Sequence, residues 1–140
     1  MGIRKMDFVW FLQSTHKGGD RGMTTVHERI SLKAEGGRHR ISLEGEFDIS
    51  NAHLIAEALA NFQSSDMIFD LTETIFLDAV TIGKLLRHGQ TVRENGKCAV
   101  FVSGENHLPN RILEILQIAK HFEVFPDIQT AHQYFDALRN

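Results

Sequence analysis

Cysteine is almost missing from this sequence. Cys98 stands alone among 140 residues, so no internal disulfide can form and no thiolate metal site can be built. A reducing compartment suits such a chain. Long apolar runs are missing too, and none approaches the roughly 18 residues that cross a bilayer. Arg4 and Lys5 precede the apolar stretch Phe8-Val9-Trp10-Phe11-Leu12. That stretch is shorter than the ~7–15 residues of a secretory leader, and no small-residue cleavage site follows it. A cytoplasmic protein is expected. An excess of positive charge is also absent: the net charge is −3 with the eight histidines neutral. Nucleic-acid binding leans on clustered Lys and Arg, so direct contact with nucleic acid is not expected.

The signatures of catalysis are equally thin. His27-Glu28 opens like a zinc-protease helix, but Ser31 stands where the second histidine belongs. The other histidines lack ligand spacing. Gly18–Gly22 is glycine-rich but is not followed by the Lys-Ser/Thr pair of a phosphate-binding loop. Ser103-Gly104 has Phe101, not glycine, two residues before the serine, so it is no nucleophile elbow. The expectation is a protein that is not an enzyme and holds no cofactor or metal.

What is present is ordinary globular composition, 42% hydrophobic and 24% charged, enough for one packed domain. Residues 1–22 show no sustained period. They carry four cations against two carboxylates (Asp7 and Asp20), and Met23 offers an alternative start. Residues 1–24 are expected to be a flexible extension, with Trp10 and Phe11 either a partner anchor or a tail packed on its own domain. The domain is expected over 25–140. Ile30–Ala34 and Arg40–Glu44 alternate with period two and flank Gly36-Gly37, which predicts an antiparallel hairpin. Asp48-Ile49-Ser50-Asn51 offers capping side chains to a helix carrying Ile55, Ala58, Leu59 and Phe62. Met67–Leu71 and Cys98–Val102 suit buried strands. Asp78 begins a second helix with Ile82, Leu85, Leu86 and Val92 on one face, closed by Asn95-Gly96. Pro109 sits near a third helix with Ile112, Ile115, Leu116 and Ala119 as its inner stripe. A brief strand at Phe122–Phe125 precedes a last helix carrying Ala131, Tyr134, Phe135 and Leu138, capped by Asp127 or Thr130. Strands alternating with helices predict an α/β fold. Its sheet is mixed, with four to five strands, mostly parallel beyond the N-terminal antiparallel hairpin. About four helices flank the sheet, crowded on one face.

The stretch Met67–Leu86 carries the functional signal. A buried strand leads through a short bridge to Asp78-Ala79-Val80-Thr81-Ile82-Gly83, where the chain turns from apolar residues into a helix. On local pattern Asp78 is a helix cap, and Gly83 allows close packing. The chain also resembles the STAS domains, the family of anti-sigma-factor antagonists, over about residues 26–138. That family has Gly-x-Leu-Asp near the end of an early strand, where this chain has Gly45-Glu46-Phe47-Asp48. It has Asp-Ser-Ser/Ala-Gly-Leu-Gly at the second helix, where this chain has Asp78–Gly83. Phe69-Asp70-Leu71 and Asn95-Gly96-Lys97 fit as well. The resemblance implies a regulatory protein–protein module acting in transcription control. Its implied partner is an anti-sigma factor with serine-kinase activity, gripped through Asp48, Asp78, Ala79, Val80, Thr81 and Gly83. In the family the serine after the aspartate takes a phosphate that ends docking, because a doubly negative group spoils a tight interface. Ala79 occupies that position and has no hydroxyl. Thr81 is the remaining candidate for phosphorylation, against its ordinary part in hydrogen bonding at the helix start. The alternative is a soluble accessory subunit of a membrane transport ATPase, such as a phospholipid-transport system, for which no phosphorylatable serine is needed. A small-molecule or nucleotide-binding module is a third possibility, since open α/β sheets place ligands beyond their strand ends.

Overall fold

The computed structural model describes residues 8–13, 27–105 and 107–139. Strand β2 (His27–Glu35) and strand β3 (Arg38–Phe47) form the expected hairpin. Ile30, Leu32, Ile41 and Leu43 point into the core and are at most 1% exposed. Gly36 and Gly37 turn the chain with φ of 60° and 83°, values open to glycine without strain. On the outer edge of β2 lies β1 (Phe8–Gln13), antiparallel, with Phe8 opposite Leu32 and Gln13 opposite His27. This strand falls within the segment expected to be an extension; the rest of residues 1–24 lies outside the described residues.

Strand β3 serves two neighbours in turn. Its first half, His39–Ser42, pairs in parallel with β4 (Met67–Asp70). At Gly45, φ 106°, the register shifts, and the end of β3 pairs in parallel with β5 (Thr74–Leu77). Strands β6 (Ala99–Val102) and β7 (Glu123–Phe125) complete the sheet in the order β1-β2-β3-β4-β6-β7, with β5 beside β3. Among the described residues the sheet therefore has seven strands, where the sequence pattern predicted four to five.

Helices α1 (Ala52–Leu59), α2 (Ala79–Glu94) and α3 (His107–Ile115) cover one face. There Phe47, Ile55, Phe69, Ile82, Leu85 and Phe101 are fully buried in one core, each worth roughly 1.5–3 kcal/mol of burial. Helix α4 (Ile128–Arg139) packs on the opposite face, so the expected one-sided crowding is corrected. The cause lies in the central strands. Met67 and Phe69 alternate with Ile68, and Ala99 and Phe101 with Val100 and Val102. Both faces of β4 and β6 are thus apolar, and each needs a cover. Polar side chains of the hairpin also hold α4: Glu35 Oε1 lies 3.1 Å from His132 Nε2, and Arg38 of β3 makes the larger set of contacts. The Arg38 side chain is 4% exposed and reaches Asp136 at 3.0 Å. It also reaches His132 Nδ1 at 3.0 Å and lies over the Phe135 ring at 4.9 Å.

The inner stripe expected for α3 is also corrected. Leu113 and Ile118 are buried, whereas Ile115 and Leu116 are exposed. The helix stops at Ile115; Gln117 takes φ 56°, and a 3-10 turn (Ile118–Lys120) follows. Within α3 it is Ile112 and Leu113 that meet the core, which turns Ile115 away from it, and the change of phase at Gln117 then carries Ile118 inward.

Candidate functional site

The parallel pairing of β3 with β5 brings two loops together. One follows β3 (Asp48–Asn51); the other is the β5–α2 junction at Asp78. Asp78 is the N-cap of α2, in extended backbone. Its Oδ1 accepts from the Thr81 N–H at 2.9 Å and from the Thr81 hydroxyl at 2.8 Å. Its Oδ2 accepts from the Ile49 N–H at 3.1 Å. Its own N–H donates to the Phe47 carbonyl at 3.2 Å, and its carbonyl accepts from Ile82. One carboxylate thus caps a helix, a contribution of about 1 kcal/mol, and fastens the neighbouring loop.

Asp48 works differently from the expected cap. Its Oδ1 accepts from the Ser50 N–H and hydroxyl at 2.9 and 2.6 Å. Asn51 Oδ1 accepts from the Asp48 N–H at 2.9 Å, and its Nδ2 donates to the Glu46 carbonyl. The helix α1 N-cap is Asn51, which gives α1 no side-chain cap bond. Both polar side chains are spent on closing the turn, because its tight geometry offers them nearer donors than the helix does.

The six residues singled out from sequence divide accordingly. Asp48 and Asp78 build the frame. Ala79 and Val80 are exposed, as is Gly83. Thr81 is fully buried with its hydroxyl on Asp78, which is the ordinary helix-start role and leaves that oxygen no route to solvent. Gly83 does not serve internal packing: a Cβ there would meet nothing within 4 Å. Gly89, two turns on, is the packing glycine of α2, since a Cβ would come within 2.9 Å of the Phe122 ring.

Sequence reading missed the apolar surface around the frame. Ile49 is 71% exposed, Ile75 57%, Val80 43% and Phe76 38%. They are four of the seven large exposed hydrophobics among the described residues: Ile49 on the loop after β3, Val80 in the first turn of α2, and Ile75 and Phe76 on β5, where as strand neighbours they point to opposite faces. Ile49 carried a signal of a kind: an aliphatic residue set among Asp, Ser and Asn, belonging to no periodic face. Clustered exposed apolar residues rimmed by polar groups mark interaction sites. Among the described residues no three His, Cys, Asp or Glu side chains converge on a metal-sized point, and no helix is long and apolar enough to cross a membrane. Burial and the nearby Asp66 push the Cys98 thiol above its usual range, away from thiolate chemistry.

A mixed sheet with a late-bending third strand and a carboxylate-framed helix entrance defines the class of this domain. Residues 29–131 match the STAS domain, and the chain belongs to that family. Among solved structures, an anti-sigma factor antagonist from Mycobacterium paratuberculosis is similar at a TM-score of 0.66 and 21% identity, over 79% of this chain and 93% of that one. An anti-sigma-factor antagonist (STAS) domain protein from Planctomyces limnophilus is similar at a TM-score of 0.60 and 18% identity, over 73% and 93%. At such identities the likeness is one of fold. No curated protein matches the sequence.

Proposed function

We propose that this chain is a regulatory adaptor that docks on another protein through the entrance of α2, in the manner of an anti-sigma-factor antagonist. The observation that carries the reading is the Asp78 carboxylate, which locks the Ile49 loop to the start of α2 while Ile49 and Val80 stay exposed. A loop already held in place loses little freedom on binding, and exposed apolar side chains on it gain from leaving water. Gly83 supports the same reading. A glycine inside a helix costs about 1 kcal/mol relative to alanine, and no neighbour within the fold fills its open side; a partner approaching closely would. The partner best suited to this surface is an anti-sigma factor with kinase activity. Ala79 offers no phosphate acceptor and Thr81 is sealed in, so docking here does not respond to phosphorylation at either position. The same alanine favours a second reading, an accessory subunit of a membrane transport ATPase, which needs no acceptor.

The test is affinity capture from native extract with the wild-type chain, Ile49→Asp, Val80→Asp and Gly83→Ala, followed by identification of the captured proteins. The aspartate variants are expected to lose at least about thirty-fold in affinity, equivalent to roughly 2 kcal/mol. Gly83→Ala is expected to stabilise the fold by about 1 kcal/mol and yet bind more weakly, which separates docking from folding. An unaltered partner set with Val80→Asp rejects the entrance as the docking surface. Recovery of a transport ATPase in place of an anti-sigma factor selects the second reading.

A further inference from the structure

Helices α1 and α2 lie against each other, and a groove of about 340 Å³ runs between their outer sides. Ala56, Leu59 and Ala60 form one wall and floor; Lys84, Arg87 and Thr91 form the other. No carboxylate lines the groove. Among the described residues neither Lys84 nor Arg87 takes part in an ion pair. In a chain of net charge −3 this is a local reversal of sign. His88 at the base is already engaged, with Nε2 at 3.1 Å from the Phe62 carbonyl. Val80, Lys84, Arg87 and Thr91 follow one another at spacings of four, three and four along α2, which puts them on one stripe of the helix. Val80, which does not line the groove, therefore stands one turn ahead of Lys84 on the same stripe.

We propose that the groove receives an acidic, aliphatic segment of the docked partner protein. Its carboxylates lie on Lys84 and Arg87, and an aliphatic side chain rests on the alanine floor. The inference rests on the docking reading above and extends it by naming the chemistry of the segment. A concavity between two helices seats a single side chain, whereas an anionic lipid surface is flat, and the cations here stand on the groove wall.

The test titrates the full-length ¹⁵N-labelled chain with three probes. These are a peptide of leucine and glutamate in alternating pairs, its twin with lysine for glutamate, and vesicles of phosphatidylserine. The glutamate peptide alone is expected to shift the amides of Ala60, Lys84, Arg87 and Thr91. Its affinity is expected to fall with added salt and about ten-fold in the double variant K84E/R87E, equivalent to roughly 1.4 kcal/mol. Silence with the glutamate peptide, an equal response to both peptides, or the same shifts with vesicles overturns the proposal. Val80→Asp keeps the two readings apart. If that variant loses partner capture while the wild type ignores the peptide, the groove inference falls alone. If it keeps its partner while the peptide binds, the entrance reading falls alone.

Discussion

Two helices of this domain start with the same grammar. Asp78-Ala79-Val80-Thr81 opens α2, and Asp127-Ile128-Gln129-Thr130 opens α4. In both, the aspartate Oδ1 accepts from the threonine N–H and hydroxyl, at 2.9 and 2.8 Å in α2 and at 2.8 and 2.7 Å in α4. The difference lies in what the rest of each motif does. At α4 the aliphatic residue, Ile128, packs against the second core. At α2 the aliphatic residue, Val80, faces out, and the second carboxylate oxygen holds Ile49 of another loop. One local motif is a plain cap in the first case and the frame of an exposed apolar surface in the second. A cap signature in sequence therefore fixes where a helix begins and says nothing of whether that beginning is a site.

The comparison can be broken most forcefully at Asp78. Asp78→Ala removes cap and bridge together and is expected to lower stability by about 2 kcal/mol in urea denaturation, with loss of partner capture. Asp78→Asn sharpens the distinction. Its oxygen can still cap Thr81, but its amide sets a donor against the Ile49 N–H. The expected loss is about 1 kcal/mol, again with weakened capture; wild-type capture by this variant would show that the bridge has no part in docking. Asp127→Ala is expected to have the smallest effect, a modest fall in stability with capture unchanged. Its pH dependence carries a sign. Hydrogen bonds from the Thr130 amide, and then its hydroxyl, hold the Asp127 carboxyl below its ordinary value of 3.8. The folded state thus binds the proton less readily than the unfolded chain does. The contribution of Asp127 is complete above that ordinary value and disappears as the pH falls through the lower folded one. Asp127→Ala is expected to flatten this part of the acid unfolding profile.

Much of the frame was legible because its residues obey one dominant rule each. The β2–β3 hairpin follows from strict alternation around Gly36-Gly37, and Ile55, Ala58, Leu59, Ile82, Leu85 and Val92 lie where helical periodicity puts them. Asp78 was legible as a cap. Strand β5 was not, since only Thr74 and Leu77 of its four residues are buried and no alternation survives. Its place depends on the register shift at Gly45, a long-range event. The side taken by α4 was hidden because its apolar stripe looks like that of any other helix; only the two-faced strands β4 and β6 decide it. Asp48 was misjudged as a cap because the Ser50 N–H and hydroxyl take its carboxylate and Asn51 stands at the N-cap position. At the site, the open side of Gly83 could not be read at all. A glycine that fits a tight contact and one that faces empty space are spelled alike.

The latch at Arg38 has a consequence for how the molecule comes apart. Among the described residues its side-chain partners, His132, Phe135 and Asp136, all belong to α4. If α4 peeled away by itself, the Arg38 guanidinium would pass into water, but the apolar outer faces of β4 and β6 at Ile68, Val100 and Val102 would be laid bare, at roughly 1.5–3 kcal/mol for each large side chain. Fraying of the C-terminal helix is thereby coupled to melting of the whole sheet. In native-state hydrogen exchange the amides of α4 should open in the same cooperative event as those of β3, not as an independent unit.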